Sequence, residues 1–116
     1  KIRFKNQRVF KFFKEIKFDY ANLRLERKLI RSMAKPRDRV IGYIYLTGKY
    51  FSREVEDGKI IVKWITMDEL ANYASTTKRT VINVYQDLQR QNFLEKTDHG
   101  EKKLKAGFWE RYADFF

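Results

Sequence analysis

Side chains that form directional hydrogen bonds lie along one side of a predicted helix near the middle of the chain. They are Lys78, Arg79, Asn83 and Gln86, with Ile82 among them. An arginine offers two parallel N–H donors and an asparagine offers a donor beside an acceptor, and both patterns match the edges of base pairs in the major groove of DNA. Side chains of these types can bind base edges by hydrogen bonds if they are presented to DNA, and otherwise they form a solvated side of the helix.

Two predicted helices joined by a tight turn position these side chains. The first begins at Thr66, because Thr66 and Glu69 have the residue types and spacing of a capping box. Residues 75–77 end it, and either Thr76 or Thr77 is expected to cap the second helix. The apolar stripe of that second helix consists of Val81, Val84, Tyr85 and Leu88. The arrangement is typical of a helix-turn-helix, in which the second helix enters the major groove.

The segment after the second helix favours a helix-turn-helix over a plain helical hairpin whose polar side is merely solvated. Asn92 is predicted to end the helix in a left-handed conformation. The strands are predicted at residues 93–96 and 102–104, with a turn at 97–100 between them and a third, β-branched strand at 59–64. The predicted fold class is mostly α with a small antiparallel β-sheet, a winged helix-turn-helix over residues 36–104.

The remaining segments read as further helices and one connection. A helix is predicted from Pro36, which suits a first turn, to about residue 51. Residues 52–58 are polar, end in an Asp-Gly turn signal, and are expected to form a connection. Residues 19–34 form a helix with a broad apolar side, which either packs against its own domain or pairs with a copy of itself. The aromatic residues of 107–116 predict a short helix folded back on the domain, in preference to a tail that binds a partner.

The positive charge of the chain is unevenly distributed. The 116 residues carry 26 Lys and Arg against 15 Asp and Glu, a net charge of +11. Residues 1–35 hold 12 basic and 3 acidic residues, a balance of +9, so residues 36–116 hold 14 and 12, a balance of +2. A basic total supports binding to polyanions, but this distribution does not locate a DNA-binding face. Residues 1–17 suit a basic amphipathic helix, which is expected to pack against protein rather than to lie on a membrane surface.

Several other classes of protein are not supported by the sequence. There is no cysteine, which excludes disulfides and thiolate metal sites, and His99, the only histidine, lies in a predicted turn. There is no Gly-rich phosphate loop and no cluster of metal ligands, so an enzymatic site, a cofactor and a metal are not expected. No apolar run has the length of a membrane span and no signal-peptide pattern is present, which fits a cytoplasmic protein without a membrane partner.

Residues 38–104 resemble the Crp/Fnr superfamily of bacterial transcription regulators. The match includes the helical segment Arg39-Val-Ile-Gly-Tyr-Ile-Tyr-Leu, the acidic-glycine turn before the strand, and Ile65-Thr66-x-x-Glu69-Leu70-Ala71. It continues with Thr77-Lys78-Arg79-Thr80-Val81, where family members commonly read Ser-Arg-Glu-Thr-Val, and with Leu88-Gln-Arg-Gln-Asn92-Phe-Leu94. The resemblance implies the C-terminal, DNA-binding half of such a regulator, without its sensory β-barrel.

The resemblance also implies a domain organisation and a set of partners. Residues 19–34 correspond to the dimerisation helix and residues 1–17 to the short helix before it, so that residues 1–35 form the link from the missing sensory domain. Residues 36–116 correspond to the DNA-binding domain with an aromatic tail. The implied partners are double-stranded DNA, a second copy of the chain bound through residues 19–34, and RNA polymerase. Members of the superfamily that bind cyclic AMP contact the nucleotide from this dimerisation helix, and because no Thr or Ser occurs within residues 20–31, the resemblance argues against cyclic AMP as the effector.

The implied DNA-binding surface extends from the helix-turn-helix to the wing. By analogy with the family, the hydroxyls of Thr77 and Thr80 bind phosphates, Arg79 pairs with guanine, Asn83 pairs with adenine, and the wing lysines meet the DNA backbone. The full predicted set is Thr66, Thr76, Thr77, Lys78, Arg79, Thr80, Ile82, Asn83, Gln86, Lys96, Lys102 and Lys103. The family has glutamate at Arg79 and arginine at Asn83, so its operator is not carried over. The alternative is a winged helix that uses its helices for protein contacts and does not bind DNA.

Overall fold

A computed structural model describes residues 20–62 and 64–115 of the chain. The elements in order are helices α1 (Tyr20–Ser32) and α2 (Pro36–Tyr50), strands β1 (Ser52–Val55) and β2 (Gly58–Ile61), helices α3 (Met67–Tyr73) and α4 (Lys78–Arg90), strands β3 (Leu94–Lys96) and β4 (Lys102–Lys105), helix α5 (Ala106–Arg111) and a 3-10 turn (Ala113–Phe115). The helix predicted for residues 1–17 lies outside the described residues. None of the helices in the described part of the chain has both the length and the apolar character needed to cross a membrane.

Helix α2 forms the centre of the core. It begins at Pro36, whose missing N–H and fixed φ suit the first turn of a helix, and it ends at Tyr50, one residue before the predicted end. It is packed by α1, by α4 and by the sheet. Its largest buried side chains are Val40, Ile41, Tyr43, Ile44 and Leu46. Because α2 is covered from several directions, it provides the fixed body on which the other elements are placed.

The sheet has four antiparallel strands in the order β1-β2-β4-β3. Strand β1 lies where the sequence predicts a polar connection over residues 52–58, and that prediction is wrong for Ser52–Val55. It is an edge strand whose Arg53 and Glu54 are exposed, so it lacks the apolar alternation that marks a half-buried strand. Its turn to β2 places Gly58 at a φ of 153°, where a Cβ atom would lie 2.3 Å from the carbonyl oxygen of Leu104. Glycine is therefore required where β2 meets β4.

Helix α1 packs closely on α2 through one row of its residues. Ile30 is fully buried, and a Cβ atom on Gly42 of α2 would lie 2.8 Å from the Ile30 Cγ1 atom. The buried carboxylate of Glu26 accepts a hydrogen bond from Lys49 Nζ at 2.7 Å and another from the Tyr50 hydroxyl. The sequence left open whether α1 packs on its own domain, and for this row of residues the structure shows that it does.

A second row of α1 faces away from the domain. Leu25 is 58% exposed and Leu29 is 51% exposed, although both residues are apolar. They are four residues apart and therefore adjacent on the helix surface. The apolar side of α1 is thus divided between a buried row and an exposed row.

The aromatic C-terminal segment folds back on the domain, as predicted. Phe108 of α5 and Tyr112, which follows it, are buried in the common core. The Trp109 ring meets the Tyr45 ring of α2 edge to face, with a centroid separation of 4.9 Å. With this segment in place, the fold is a winged helix-turn-helix that is mostly α with a small antiparallel sheet, and the predicted fold class is confirmed.

Candidate nucleic-acid interface

The first helix of the helix-turn-helix starts with the predicted capping box. The Thr66 hydroxyl accepts a hydrogen bond from the Glu69 backbone N–H at 3.1 Å, and the Glu69 carboxylate accepts one from the Thr66 N–H at 3.0 Å. Two N–H groups that α3 cannot satisfy internally are thereby bonded. The Thr66 side chain, one of the predicted DNA-binding residues, consequently serves to start α3 and remains exposed.

The turn between α3 and α4 is fixed by backbone and side-chain hydrogen bonds. Ser75 has a φ of 54°, a left-handed conformation that reverses the chain between the two helices. The Thr76 N–H then donates to the Ala71 carbonyl at 2.9 Å. Thr77, and not Thr76, caps α4: its hydroxyl accepts a hydrogen bond from the Thr80 N–H at 3.2 Å. These contacts set the point at which the exposed side of α4 begins.

Helix α4 has one buried side and one exposed side. Its buried residues are Val81, Val84, Tyr85 and Leu88, the predicted apolar stripe. The exposed residues include Thr77 just before the helix and then Lys78, Arg79, Asn83 and Gln86, while Thr80 and Ile82 are half-buried at the boundary. The predicted recognition side chains therefore form a continuous exposed edge and are not packed against the body of the protein.

Lys78 has an acidic neighbour on this edge. Its ammonium nitrogen lies 3.6 Å from a carboxylate oxygen of Asp68 on α3, and both side chains are largely exposed. An ion pair between exposed groups contributes little to stability, about 0–1 kcal/mol. Lys78 can therefore exchange Asp68 for a phosphate or a base edge at small cost.

The wing is formed by β3, β4 and the turn between them. Lys96 of β3 lies opposite Lys102 of β4 in the strand register, and Glu95 lies opposite Lys103. Opposite residues of an antiparallel pair point to the same face, and successive residues alternate between faces. Lys96 and Lys102 therefore share the face that carries the buried Leu104, whereas Lys103 points to the other face.

A groove of about 300 Å³ separates α4 from the wing. We call it the α4–wing groove, and it is lined by Met67, Ile82, Tyr85, Gln86, Gln89, Leu94, Lys96 and Lys102. Its floor is apolar and its rim is formed by two amides and two ammonium groups, without a carboxylate among the described residues that line it. Lys103 does not line this groove, so the three predicted wing lysines do not have equivalent positions.

Lys102 is the more deeply placed of the two groove lysines. Its ammonium nitrogen lies 5.1 Å from the centre of the Trp64 ring, which in turn packs on Tyr85 with a centroid separation of 5.6 Å. Burial, and secondarily the like charge of Lys96, lowers the pKa of Lys102 below its ordinary value. Burial raises the pKa of the Tyr85 hydroxyl, which therefore stays neutral. A phosphate in this groove would relieve the repulsion between the two lysines.

Two residues of this surface were missed by the sequence reasoning. Gln89 extends the row of Ile82 and Gln86 at helical spacing, and this periodicity could have identified it. Trp64 precedes the helix-turn-helix in the chain, and its contact with Lys102 joins positions 38 residues apart. Only the three-dimensional fold reveals the contact between Trp64 and Lys102.

Comparisons with known proteins agree with this architecture at the level of the fold. No protein-family model matches the sequence, and no curated protein matches it. Among solved structures, TTHB099, a CRP-family transcriptional regulator from Thermus thermophilus, matches 84% of this chain at 15% identity with a TM-score of 0.58, over 57% of its own length. Reduced, ligand-free CprK matches 97% of this chain at 17% identity with a TM-score of 0.61, over 52% of its own length. CprK complexed with OCPA matches 86% at 18% identity and a TM-score of 0.58, over 46% of its length.

The chain therefore spans about half the length of the solved structures that it matches. At these identities the similarity establishes the fold, which includes a winged helix-turn-helix preceded by a helix. The resemblance to the Crp/Fnr superfamily that the sequence predicts is therefore confirmed for the fold.

Proposed function

We propose that this chain is the DNA-binding half of a Crp/Fnr-type transcription regulator and that it binds operator DNA as a homodimer. The observation that carries the proposal is the exposed edge of α4 beside the wing. In the part of the chain that the structure describes, no carboxylate pairs with Arg79, which is exposed on that edge. Its guanidinium can therefore pair with an external acceptor without first breaking an internal ion pair.

The start of α4 is suited to fixing the position of the helix on the DNA backbone. The hydroxyls of Thr77 and Thr80 lie 3.1 Å apart at the helix N-terminus, where unsatisfied N–H groups and the helix dipole favour a phosphate. Arg79 then pairs with O6 and N7 of guanine, and Asn83 with N6 and N7 of adenine. Ile82, half-buried between them, contacts a thymine methyl group.

The wing adds non-specific affinity. Lys96 and Lys102 point into the α4–wing groove and bind backbone phosphate there. Lys103 lies on the opposite face of the strand pair, so its contribution is the smallest of the three. This assignment refines the uniform role that the sequence suggested for the wing lysines.

The proposed dimer forms through the helix that precedes the winged domain. Leu25 and Leu29 on the exposed row of α1 supply apolar surface for a second copy. In this proposal residues 1–35 are the linker and dimerisation segment, and residues 36–116 are the DNA-binding domain. Two copies place two α4 helices in successive major grooves, with half-site centres about 34 Å apart.

A mobility-shift assay across a salt series tests the proposal. Mixed genomic fragments are offered to the wild-type chain, to Arg79→Ala and to the charge-matched control Arg111→Ala, whose side chain lies over Tyr112 in the C-terminal segment and outside the predicted DNA-binding set. The wild-type chain should retain a subset of fragments at a salt concentration that releases the rest. Arg79→Ala should weaken binding to that subset by about 1–3 kcal/mol, with little change for the other fragments.

Two outcomes would count against parts of this account. An equal loss on retained and released fragments would mean that Arg79 contacts phosphate only. Absence of any shift at low salt would contradict DNA binding and would favour a winged helix that contacts other proteins.

A further inference from the structure

Arg39, in the first turns of α2, binds two separate parts of the chain through one guanidinium group. Its Nε–H donates to the Ala74 carbonyl at 2.7 Å, and its Nη2 lies 3.4 Å from the Ser75 carbonyl. Its Nη1 donates to the Met33 carbonyl at 2.8 Å and to the Ala34 carbonyl at 3.1 Å. The acceptors lie at the end of α1 and in the turn of the helix-turn-helix, 40 residues apart in sequence.

Both sets of acceptors are the kind that attracts a cation. They are carbonyls of the two residues that directly follow each helix, Met33 and Ala34 after α1 and Ala74 and Ser75 after α3, where the helix dipole concentrates partial negative charge. The C-terminal ends of α1 and of α3 therefore converge on the same positive charge. A guanidinium is planar and its donors are fixed relative to one another, so it holds the two ends in one mutual geometry, which the single flexible ammonium of lysine does not do.

The hydrogen bonds of Arg39 to the turn lie just before the start of α4. Ser75, one of its acceptors, is the left-handed residue of the turn, and Thr77, two residues later, caps α4. A second contact from the same part of α2 reaches the other end of α4, where Arg37 Nη1 lies 2.5 Å from the Asp87 carboxylate. Arginines of α2 thus contact both the turn that leads into α4 and a residue near its C-terminal end, and of these two arginines it is Arg39 that also contacts the residues after α1.

We propose that Arg39 is a positioning residue that couples the end of α1 to α4, so that the direction of the exposed edge of α4 is set relative to α1. The inference rests on the proposed function, because an orientation matters only if α4 reads DNA. Arg39 itself is not placed in contact with DNA. Its role is to keep the base-reading side chains in register, which affects binding to a specific site more than binding to random DNA.

Binding measurements on three variants test this role. Arg39→Lys keeps the charge, Arg39→Gln removes it, and Arg111→Gln removes a charge from the C-terminal segment as a control. Each full chain is titrated with the duplex that the wild-type chain enriches from a random pool, and with random duplex, across a salt series. Arg39→Lys should bind the enriched duplex about tenfold more weakly, with unchanged affinity for random duplex. The salt slope, which is the change in the logarithm of the affinity with the logarithm of the salt concentration, should also be unchanged. Arg39→Gln should show at least the same loss, whereas Arg111→Gln should retain the wild-type ratio of specific to random affinity.

The possible failures are distinguishable. If the wild-type chain enriches a duplex and Arg39→Lys retains the wild-type affinity ratio, the positioning role is wrong while DNA binding stands. A salt slope that falls by about one in Arg39→Gln, which lacks the charge, but not in Arg39→Lys would show a direct phosphate contact of Arg39 and would also overturn the positioning role. If the wild-type chain enriches nothing, the proposed function itself fails.

A measurement on the wild-type chain does not depend on how the variants fold. The Nε–H proton of Arg39, bonded to Ala74, should give a distinct nuclear magnetic resonance signal that exchanges slowly with water. A nuclear Overhauser effect should connect the Arg39 side chain both to Ala34 and to Ala74. A rapidly exchanging signal without these contacts would contradict the coupling.

Discussion

At the scale of single residues, the direction of a side chain decides its contribution more than its charge does. Lys102 and Lys103 are neighbours with the same charge, yet only Lys102 points into the α4–wing groove. Lys102 is also partly desolvated over Trp64 and repelled by Lys96, and these conditions lower its pKa. An anion placed between Lys96 and Lys102 is therefore stabilised by the positive charge of both ammonium groups.

The two lysines give a matched pair of variants. Lys102→Met should weaken binding to any duplex and reduce the salt slope by about one, because one phosphate contact is lost. Lys103→Met changes the net charge equally and should alter the slope much less. The slope is read from binding titrations at several salt concentrations. Equal slopes for the two variants would show that the lysines act through net charge and that the groove is not a phosphate site.

At the scale of elements, the start of α4 depends on one hydroxyl. Thr77→Ala removes the cap on the Thr80 N–H and should lower the free energy of unfolding by about 1 kcal/mol. For a domain of this size the midpoint of thermal unfolding should fall by about 4–8 °C. Thr76→Ala, one residue earlier, should change the stability by less than about 0.5 kcal/mol. Thermal unfolding followed by circular dichroism compares the variants, and an equal loss in both would contradict the assignment of the cap.

The elements that sequence reasoning identified correctly are those fixed by local patterns. The capping box at Thr66 and Glu69, the stripe of α4 and the left-handed Asn92, which has a φ of 62°, each depend on residues a few positions apart. Their energies arise within one or two turns of chain, so spacing alone is sufficient to predict them. The wing was also predicted, because its turn and its apolar positions lie within a dozen residues.

The features that were missed depend on contacts distant in sequence. Strand β1 is polar and becomes a strand through its pairing with β2 at the edge of the sheet. The contact of Lys102 with Trp64 joins positions distant in sequence, although the alternation of faces along β4 already separates Lys102 from Lys103. The four carbonyl acceptors of Arg39 meet only after α1, α2 and α3 have packed together. These contacts cannot be predicted from the local periodicity of the sequence.

At the scale of the whole molecule, the exposed row of α1 is the feature that sets the proposed assembly. Leu29 is 51% exposed, whereas Ile30 beside it is fully buried in the protein's own core. Leu29→Glu should therefore prevent pairing of two copies without disturbing the fold. Val62→Glu is the matched control, because Val62 is also an exposed apolar residue, at 58%, but follows β2 rather than lying on α1.

Sedimentation and DNA titration report the result. Leu29→Glu should sediment as a monomer and should bind a duplex with two half-sites at least about 100-fold more weakly, since the second half-site is no longer bound by a tethered copy. Val62→Glu should match the wild-type chain in both measurements. A Leu29→Glu chain that still sediments as a dimer would place the interface elsewhere.

The central claim, that the exposed edge of α4 reads base pairs, is tested most directly by selecting bound duplexes from a random pool. The selection is carried out in parallel with the wild-type chain and with Arg79→Ala. The wild-type pool should converge on an inverted repeat with half-site centres about one helical turn apart. The Arg79→Ala pool should lose its preference at one position of each half-site and keep the others. Failure of the wild-type pool to converge, or convergence of both pools on one identical sequence, would contradict the claim.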